Sequence, residues 1–155
     1  MSIKARLESE MKQALRARDA ARLSCLRMLK SKLQEREVAL RATRGLDYSI
    51  GDDEALGVIS SYAKQRLDSI DGYRRGGRAE LAAAEEAELA IVREYLPRQL
   101  GPDEIREIVR AAIAESGAAG ARDVGAVMRL VMPRLKGLAD GKLVQDVVRE
   151  LLPGS

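Results

Sequence analysis

Residues 123–152 read DVGAVMRLVMPRLKGLADGKLVQDVVRELL, and the spacing of their aliphatic side chains decides the fold class. Val124, Val127, Met128, Val131 and Met132 recur at i, i+3, i+4, i+7 and i+8, and Leu143, Val144, Val147, Val148 and Leu151 at i, i+1, i+4, i+5 and i+8. Each set is the stripe of a helix with one buried face. Between them Pro133 lacks a backbone donor and bends or ends the first helix, Gly137 can take a left-handed cap, and Asp140 can cap the second helix. Lys136 and Lys142 therefore flank one tight connection between helices.

Working back from this stretch, the helical period persists. Asp123 caps it after the small-residue loop 116–122. Leu100, Gly101, Pro102, Glu104 and Ile105 fit N′, N-cap, N1, N3 and N4 of a preceding helix, whose stripe is Ile105, Ile108, Val109, Ala112 and Ile113. Leu96-Pro97 closes an earlier helix, because the residue before proline avoids the α region. The expected organisation is a helical N-terminal domain over 1–96, a hinge at 97–101 and a small three-helix C-terminal domain over 102–155.

Within the first domain Ser2 caps a helix that buries Ile3, Leu7, Met11 and Leu15, pairs Glu8 with Lys12, and ends near Asp19. Asp19 caps a second helix from Ala20 to about Arg44 with Leu23, Leu26, Leu29, Leu33 and Leu40 inward. After the connection 45–53, Asp52 or Asp53 restarts a helix carrying Leu56, Ala63 and Ile70, and Ile59, Arg66 and Tyr73, at intervals of seven. It breaks at Gly76-Gly77, and Arg78 to Tyr95 follows with Leu81, Ala84, Leu89, Val92 and Leu96 inward. No segment alternates with period two, so the fold is expected to be all-α.

Composition narrows the chemistry. The 155 residues include no His, Phe or Trp and only four Tyr. Lacking histidine, the chain lacks the usual general base, the usual activator of a nucleophile and the commonest zinc ligand. No catalytic residue, metal site or cofactor is assigned. Cys25, the single cysteine, excludes an internal disulfide and reads as a small buried hydrophobe beside the leucines of the second helix. Glu85, Glu86 and Glu88 read as a solvated acidic face. The 137–142 segment GLADGK is no phosphate loop: three residues separate its glycines, Leu143 follows its lysine, and no strand precedes it. No apolar run approaches the ~20 residues of a membrane span, and the start MSIKARLESEMKQAL is broken by charges. The expectation is a soluble cytoplasmic protein with no membrane partner.

A net charge of +3 hides an asymmetry: residues 1–44 carry 12 Lys/Arg against 5 Asp/Glu, while residues 102–155 carry 8 of each. The candidate contacts for a polyanion are Arg22, Arg27 and Lys30 in the second helix, Arg75 and Arg78 at the Gly76-Gly77 corner, and Arg134, Lys136 and Lys142 at the last turn. Each place has a structural alternative: a solvated arginine-rich face, a helix corner, and a charged turn.

The segment Lys64-Gln-Arg with Ser69-Ile70, Tyr73, Gly76-Gly77-Arg78 and Glu80-Leu81, the hinge Glu94-Tyr95-Leu96-Pro97 with Gln99-Leu100, and Gly125, Val127-Met128, Met132-Pro133, Leu135-Lys136-Gly137, Ala139-Asp140-Gly141 and Val144 together resemble the YqeY-like family. That family is similar to the C-terminal tail of GatB, a subunit of the glutamine-dependent tRNA amidotransferase. The resemblance implies a helical domain of about 95 residues followed by a compact three-helix domain, in agreement with the pattern above. It also implies a link to tRNA, which the GatB tail grips, and carbon–nitrogen ligase activity with glutamine as amide donor only as part of a complex. The chain lacks the kinase-like portion of GatB and the serines of the amidase subunit. Two partners follow as expectations: structured RNA, above all tRNA, and alternatively the amidotransferase or another protein on which the module docks.

Overall fold

The computed structural model describes residues 1–152. Among them are seven α-helices, one 3-10 turn and no strand, as the aliphatic stripes predict. The helices are α1 (Ile3–Arg16), α2 (Ala20–Arg44), α3 (Asp52–Arg75), α4 (Ala79–Arg93), α5 (Pro102–Ser116), α6 (Val124–Leu135) and α7 (Gly141–Leu151), with the 3-10 turn at Ala121–Asp123. Packing gathers them into two compact units, one reaching to Leu96 and one beginning at Pro97.

In the first unit α1 and α2 form one hairpin, and α3 and α4 form a second with the most extensive contact of any pair. Ser2 Oγ accepts the Ala5 N–H at 3.1 Å and the Asp19 carboxylate accepts the Arg22 N–H at 3.0 Å, so both sequence-read caps form. α1 stops at Arg16, short of Asp19, because Arg18 turns the chain at φ 56° and sends the Asp19 N–H back to Ala14 O at 2.9 Å. Asp52 lies in the first turn of α3 behind an N-cap at Gly51, and its carboxylate accepts the otherwise orphaned Ile3 N–H of α1 at 3.0 Å.

The core of this unit is centred on Leu7, Leu26, Leu29, Ile59 and Val92. Three expected core positions lie outside it. Leu15 is 61% exposed and Ala14 is buried in its place; Leu81 and Ala84 are exposed and Ala82 is buried. One rule explains the shift. Each helical residue advances about 100°, so a residue eight from an anchor sits roughly 80° off its face and one seven away only about 20° off. Ala14 is seven from Leu7 and Ala82 is seven from Leu89, whereas Leu15 and Leu81 are eight away.

In the second unit α5, α6 and α7 pack around Ile105, Val109, Val127, Val131, Leu135 and Val144. Gly101 and Pro102 take the N-cap and N1 positions of α5, and Gly117 at φ 68° closes it. Asp123 does not cap α6 with its side chain: its carboxylate turns back to accept the Ala119 and Gly120 amides at 2.9 and 3.3 Å. Pro133 does not end α6 but lies inside it, since the helix continues to Leu135. Proline forfeits one backbone bond there, and that loss is set against burying Leu135 completely. Asp140 occupies the N-cap of α7 with an extended backbone and makes no side-chain capping bond. The 97–101 segment is bound within this unit. Gln99 Nε2 donates to Gly137 O at 2.9 Å, the Leu100 N–H donates to Leu138 O at 2.8 Å, and Arg98 grips Glu104 through two bonds of 2.9 and 2.7 Å.

The phase argument gives a paired expectation. Ile59→Ala should cost about 2–5 kcal/mol by leaving a cavity, whereas Leu15→Ala should change stability by less than about 0.5 kcal/mol. Urea unfolding of the two variants measures both.

Candidate nucleic-acid interface

Most of the N-terminal cations are tied up by folding, although only Glu54 and Glu94 from outside the segment reduce its excess of positive charge. Lys4, Arg6, Arg22, Lys30, Lys32, Arg36, Arg41 and Arg44 are each in an ion pair, which accounts for eight of the twelve cations in residues 1–44. Arg22 meets Glu94 at 2.7 Å and Glu10 at 3.4 Å, and Lys30 meets Glu8 at 2.5 Å. The partner of Glu8 is thus Lys30 across the hairpin and not Lys12 along α1. Lys12, Arg16, Arg18 and Arg27 are exposed and have no ion-pair partner among the described residues. Lys12 lies one turn beyond Glu8 on α1, and Arg27 lies one turn before Lys30 on α2. Because the two helices run antiparallel, the Glu8–Lys30 bond places Lys12 and Arg27 along the same seam, with Arg16 a further turn on.

Of the remaining candidates, Arg75 and Arg78 are exposed and unpaired among the described residues, at a corner where Gly77 takes φ 71° and the Arg78 N–H reaches Tyr73 O at 2.8 Å. Arg134 is engaged with Glu115 at 2.7 Å. Lys136 and Lys142 are exposed and have no ion-pair partner among the described residues. Their turn is braced: Gly137 sits at φ 78°, the Leu138 and Ala139 amides both reach Leu135 O, and Gln99 and Leu100 hold the carbonyls of Gly137 and Leu138. No side chain caps the first turn of α7, so its amides and its positive dipole end lie beside Lys142. Such a turn can hold an oxyanion.

Aromatic stacking on bases is poorly served. The guanidinium groups of Arg6, Arg44 and Arg66 already cover Tyr95, Tyr48 and Tyr62 at 4.3, 5.1 and 4.9 Å from the ring centres. Tyr73, the fourth, packs against the core.

Inside the first unit the clustered carboxylates of α4 have structural partners. Tyr62 donates to Glu88 at 2.5 Å, Arg66 to Glu85 at 3.0 Å, and Arg74 to Glu86, so the acidic face of α4 is spent on α3 and is not simply solvated. Burial first, and the Glu88 carboxylate after it, push the Tyr62 hydroxyl and the Cys25 thiol upward, the thiol to about 12. Cys25 is buried, as read from the sequence, and is held as an inert thiol. Burial raises Tyr95 as well, reinforced by its bond to Glu10.

Sequence reasoning missed Glu37. It accepts from Lys4 at 2.8 Å, from the Ile50 N–H at 2.8 Å and from Arg41 at 3.1 Å, and it is only 8% exposed. The signal was present, since Glu37 continues the stripe of Leu26, Leu29 and Leu33 at a spacing of four.

Residues 4–152 match the YqeY family, described as Yqey-like protein. The chain belongs to the YqeY family, which is related to the C-terminal tail domain of GatB. It is also similar to altered inheritance of mitochondria protein 41 of three fungi. The Pyrenophora tritici-repentis protein is 27% identical over 151 residues, spanning 95% of this chain and 79% of the relative. The Vanderwaltozyma polyspora protein is 30% identical over 90 residues and the Saccharomyces cerevisiae protein 29%, each spanning 58% of this chain and 46% of the relative. The chain thus spans about half the length of the two yeast relatives. All three are named as mitochondrial proteins, which overturns the expectation of a cytoplasmic one. The error has a physical origin. A single cysteine and the lack of an apolar run distinguish a reducing aqueous compartment from a membrane or an oxidising one, and do not tell one reducing compartment from another. Among the described residues no helix is long and apolar enough to cross a membrane.

Two measurements test this interior. Cys25 should react with a thiol reagent at pH 8 at least about tenfold more slowly in the folded protein than in urea. Glu37, held below the usual carboxylate range by Lys4 and the Ile50 amide, contributes stability that is fully present above the unfolded pKa of about 4.3 and is lost as pH falls through its lower folded value. The stability difference between the protein and Glu37→Gln should therefore be constant above about pH 5 and shrink below it, as followed by urea unfolding across pH.

Proposed function

We propose that this member of the YqeY family is a non-catalytic module that binds structured RNA, tRNA above all, through phosphate contacts. The observation that carries the reading is the braced α6–α7 turn, where Lys136 and Lys142 stand exposed beside an uncapped helix start. Arg75 and Arg78 at the α3–α4 corner, and Arg27 with Lys12 and Arg16 along the α1–α2 seam, supply further unneutralised charge. Arg22, Lys30 and Arg134, engaged by carboxylates, serve the fold first. The occupied tyrosines favour recognition of backbone and shape over stacking on single-stranded bases. The relation to the GatB tail supports tRNA as the RNA and a connection with glutamine-dependent amidation, in which another chain supplies the chemistry. The two packed units act as separate domains in this reading, each presenting its own basic surface.

Filter binding of tRNA at graded salt tests it. Log affinity should fall linearly with log salt, and replacing both Lys136 and Lys142 by Ala should reduce the slope by about 2, whereas Arg22→Ala should leave it nearly unchanged. Absence of saturable tRNA binding at low salt, or an unaltered slope in the double variant, overturns the proposal.

A further inference from the structure

A cavity of about 220 Å³ opens between α1, α2 and the 45–51 connection of the first unit, apart from the exposed cations considered above. Its floor is aliphatic: Leu7, Leu33 and Ile50, all buried. Its walls are charged in balance, with Lys4 and Lys30 facing Glu8 and Glu37, and Gln34 at the margin.

The walls retain hydrogen-bonding capacity on both sides. Lys4 Nζ uses two of its donors on Glu37 at 2.8 Å and Ser49 at 3.1 Å, and Lys30 Nζ uses one on Glu8 Oε1 at 2.5 Å. An ammonium carries three donors, so one remains on Lys4 and two on Lys30. Glu8 Oε2 and the Gln34 amide have no partner among the described residues. Glu37, in contrast, is fully engaged by Lys4, Ile50 and Arg41 and acts as the fixed wall that keeps Lys4 in place.

We infer that this cavity is a binding site for a free aliphatic α-amino acid. Donors of Lys4 and Lys30 receive the α-carboxylate, Glu8 Oε2 and the Gln34 carbonyl receive the α-ammonium, and the branched side chain lies on Leu7, Leu33 and Ile50. A neutral pair of opposite charges suits a wall that already balances two cations against two anions, whereas a single added charge would be left half-compensated. Size agrees. A dry cavity of about 150 Å³ accommodates benzene, and drug-sized ligands take pockets of about 300–1,000 Å³. The apolar floor selects against small polar zwitterions, and the balanced rim selects against polyphosphates and nucleic acid.

Backbone-amide NMR titration of the full chain with L-leucine tests the site. Saturable shifts are expected around Leu7, Leu33, Gln34 and Ile50, with 4-methylpentanoate and 3-methylbutylamine, which carry one charge each, binding at least tenfold more weakly. Lys30→Met should weaken leucine binding at least tenfold. Gln34→Trp, a substitution at an exposed position that fills the mouth, should abolish it while leaving the spectrum that of a folded protein. No saturable shift at tens of millimolar leucine, equal binding of a singly charged analogue, or full binding by both folded variants overturns the inference.

Discussion

Glu37 is the charged residue that the first unit buries, and its partners come from three separate places: Lys4 on α1, Arg41 on its own helix, and the amide of Ile50 in the connection to α3. A carboxylate removed from water is tolerable only while its lone pairs are filled, and removing one partner leaves an uncompensated charge. The arrangement therefore sets the register of α1 against α2 and fixes the loop that delivers α3. Asp52 adds a second tie between the same two regions by capping the first amide of α1. Apart from the Arg41 contact along α2, these interactions join separate elements. They form only once α1, α2 and the start of α3 have come together.

The same logic redistributes the electrostatic field. Twelve cations in the first 44 residues would give an isolated hairpin a strong positive potential. Once α3 and α4 pack on, their carboxylates draw in Arg22, Arg36 and Arg44, while Glu8 and Glu37 take Lys30, Lys4 and Arg41. Of the first 44 residues, Lys12, Arg16, Arg18 and Arg27 are left without a carboxylate among the described residues. Charge counted along a chain measures what is available; the surface potential depends on what tertiary pairing leaves over.

The sequence made the helices and their caps readable because aliphatic spacing and Ser2, Asp19, Gly101-Pro102 and Gly137 each act within a few residues. Its errors lie at Leu15 and Leu81, each eight residues from a buried anchor, and of the two effects expected of Pro133, ending the helix does not occur, because a distant packing gain competes with that local preference. Asp123 and Asp140 show the same limit: cap-forming residue types stand at helix starts, yet one side chain serves the preceding loop and the other makes no capping bond. Of the candidate contacts, Lys136 and Lys142 are exposed, and neither Asp140 in their turn nor Asp146 one turn on in α7 forms an ion pair with them. Arg22 and Lys30 could not be recognised as structural, since their partners lie 72 and 22 residues away in the chain.

The bracing of the α6–α7 turn by Gln99 and Leu100 has an entropic consequence. Its backbone is already ordered in the free protein, with three carbonyls committed at Leu135, Gly137 and Leu138. An anion that meets Lys136 and Lys142 has to immobilise only two side chains, each carrying about 2 kcal/mol of rotamer entropy, and no main chain. The connection thus behaves as a preorganised mount: it sets the separation of the two lysine stems in advance and leaves adaptation to their ends.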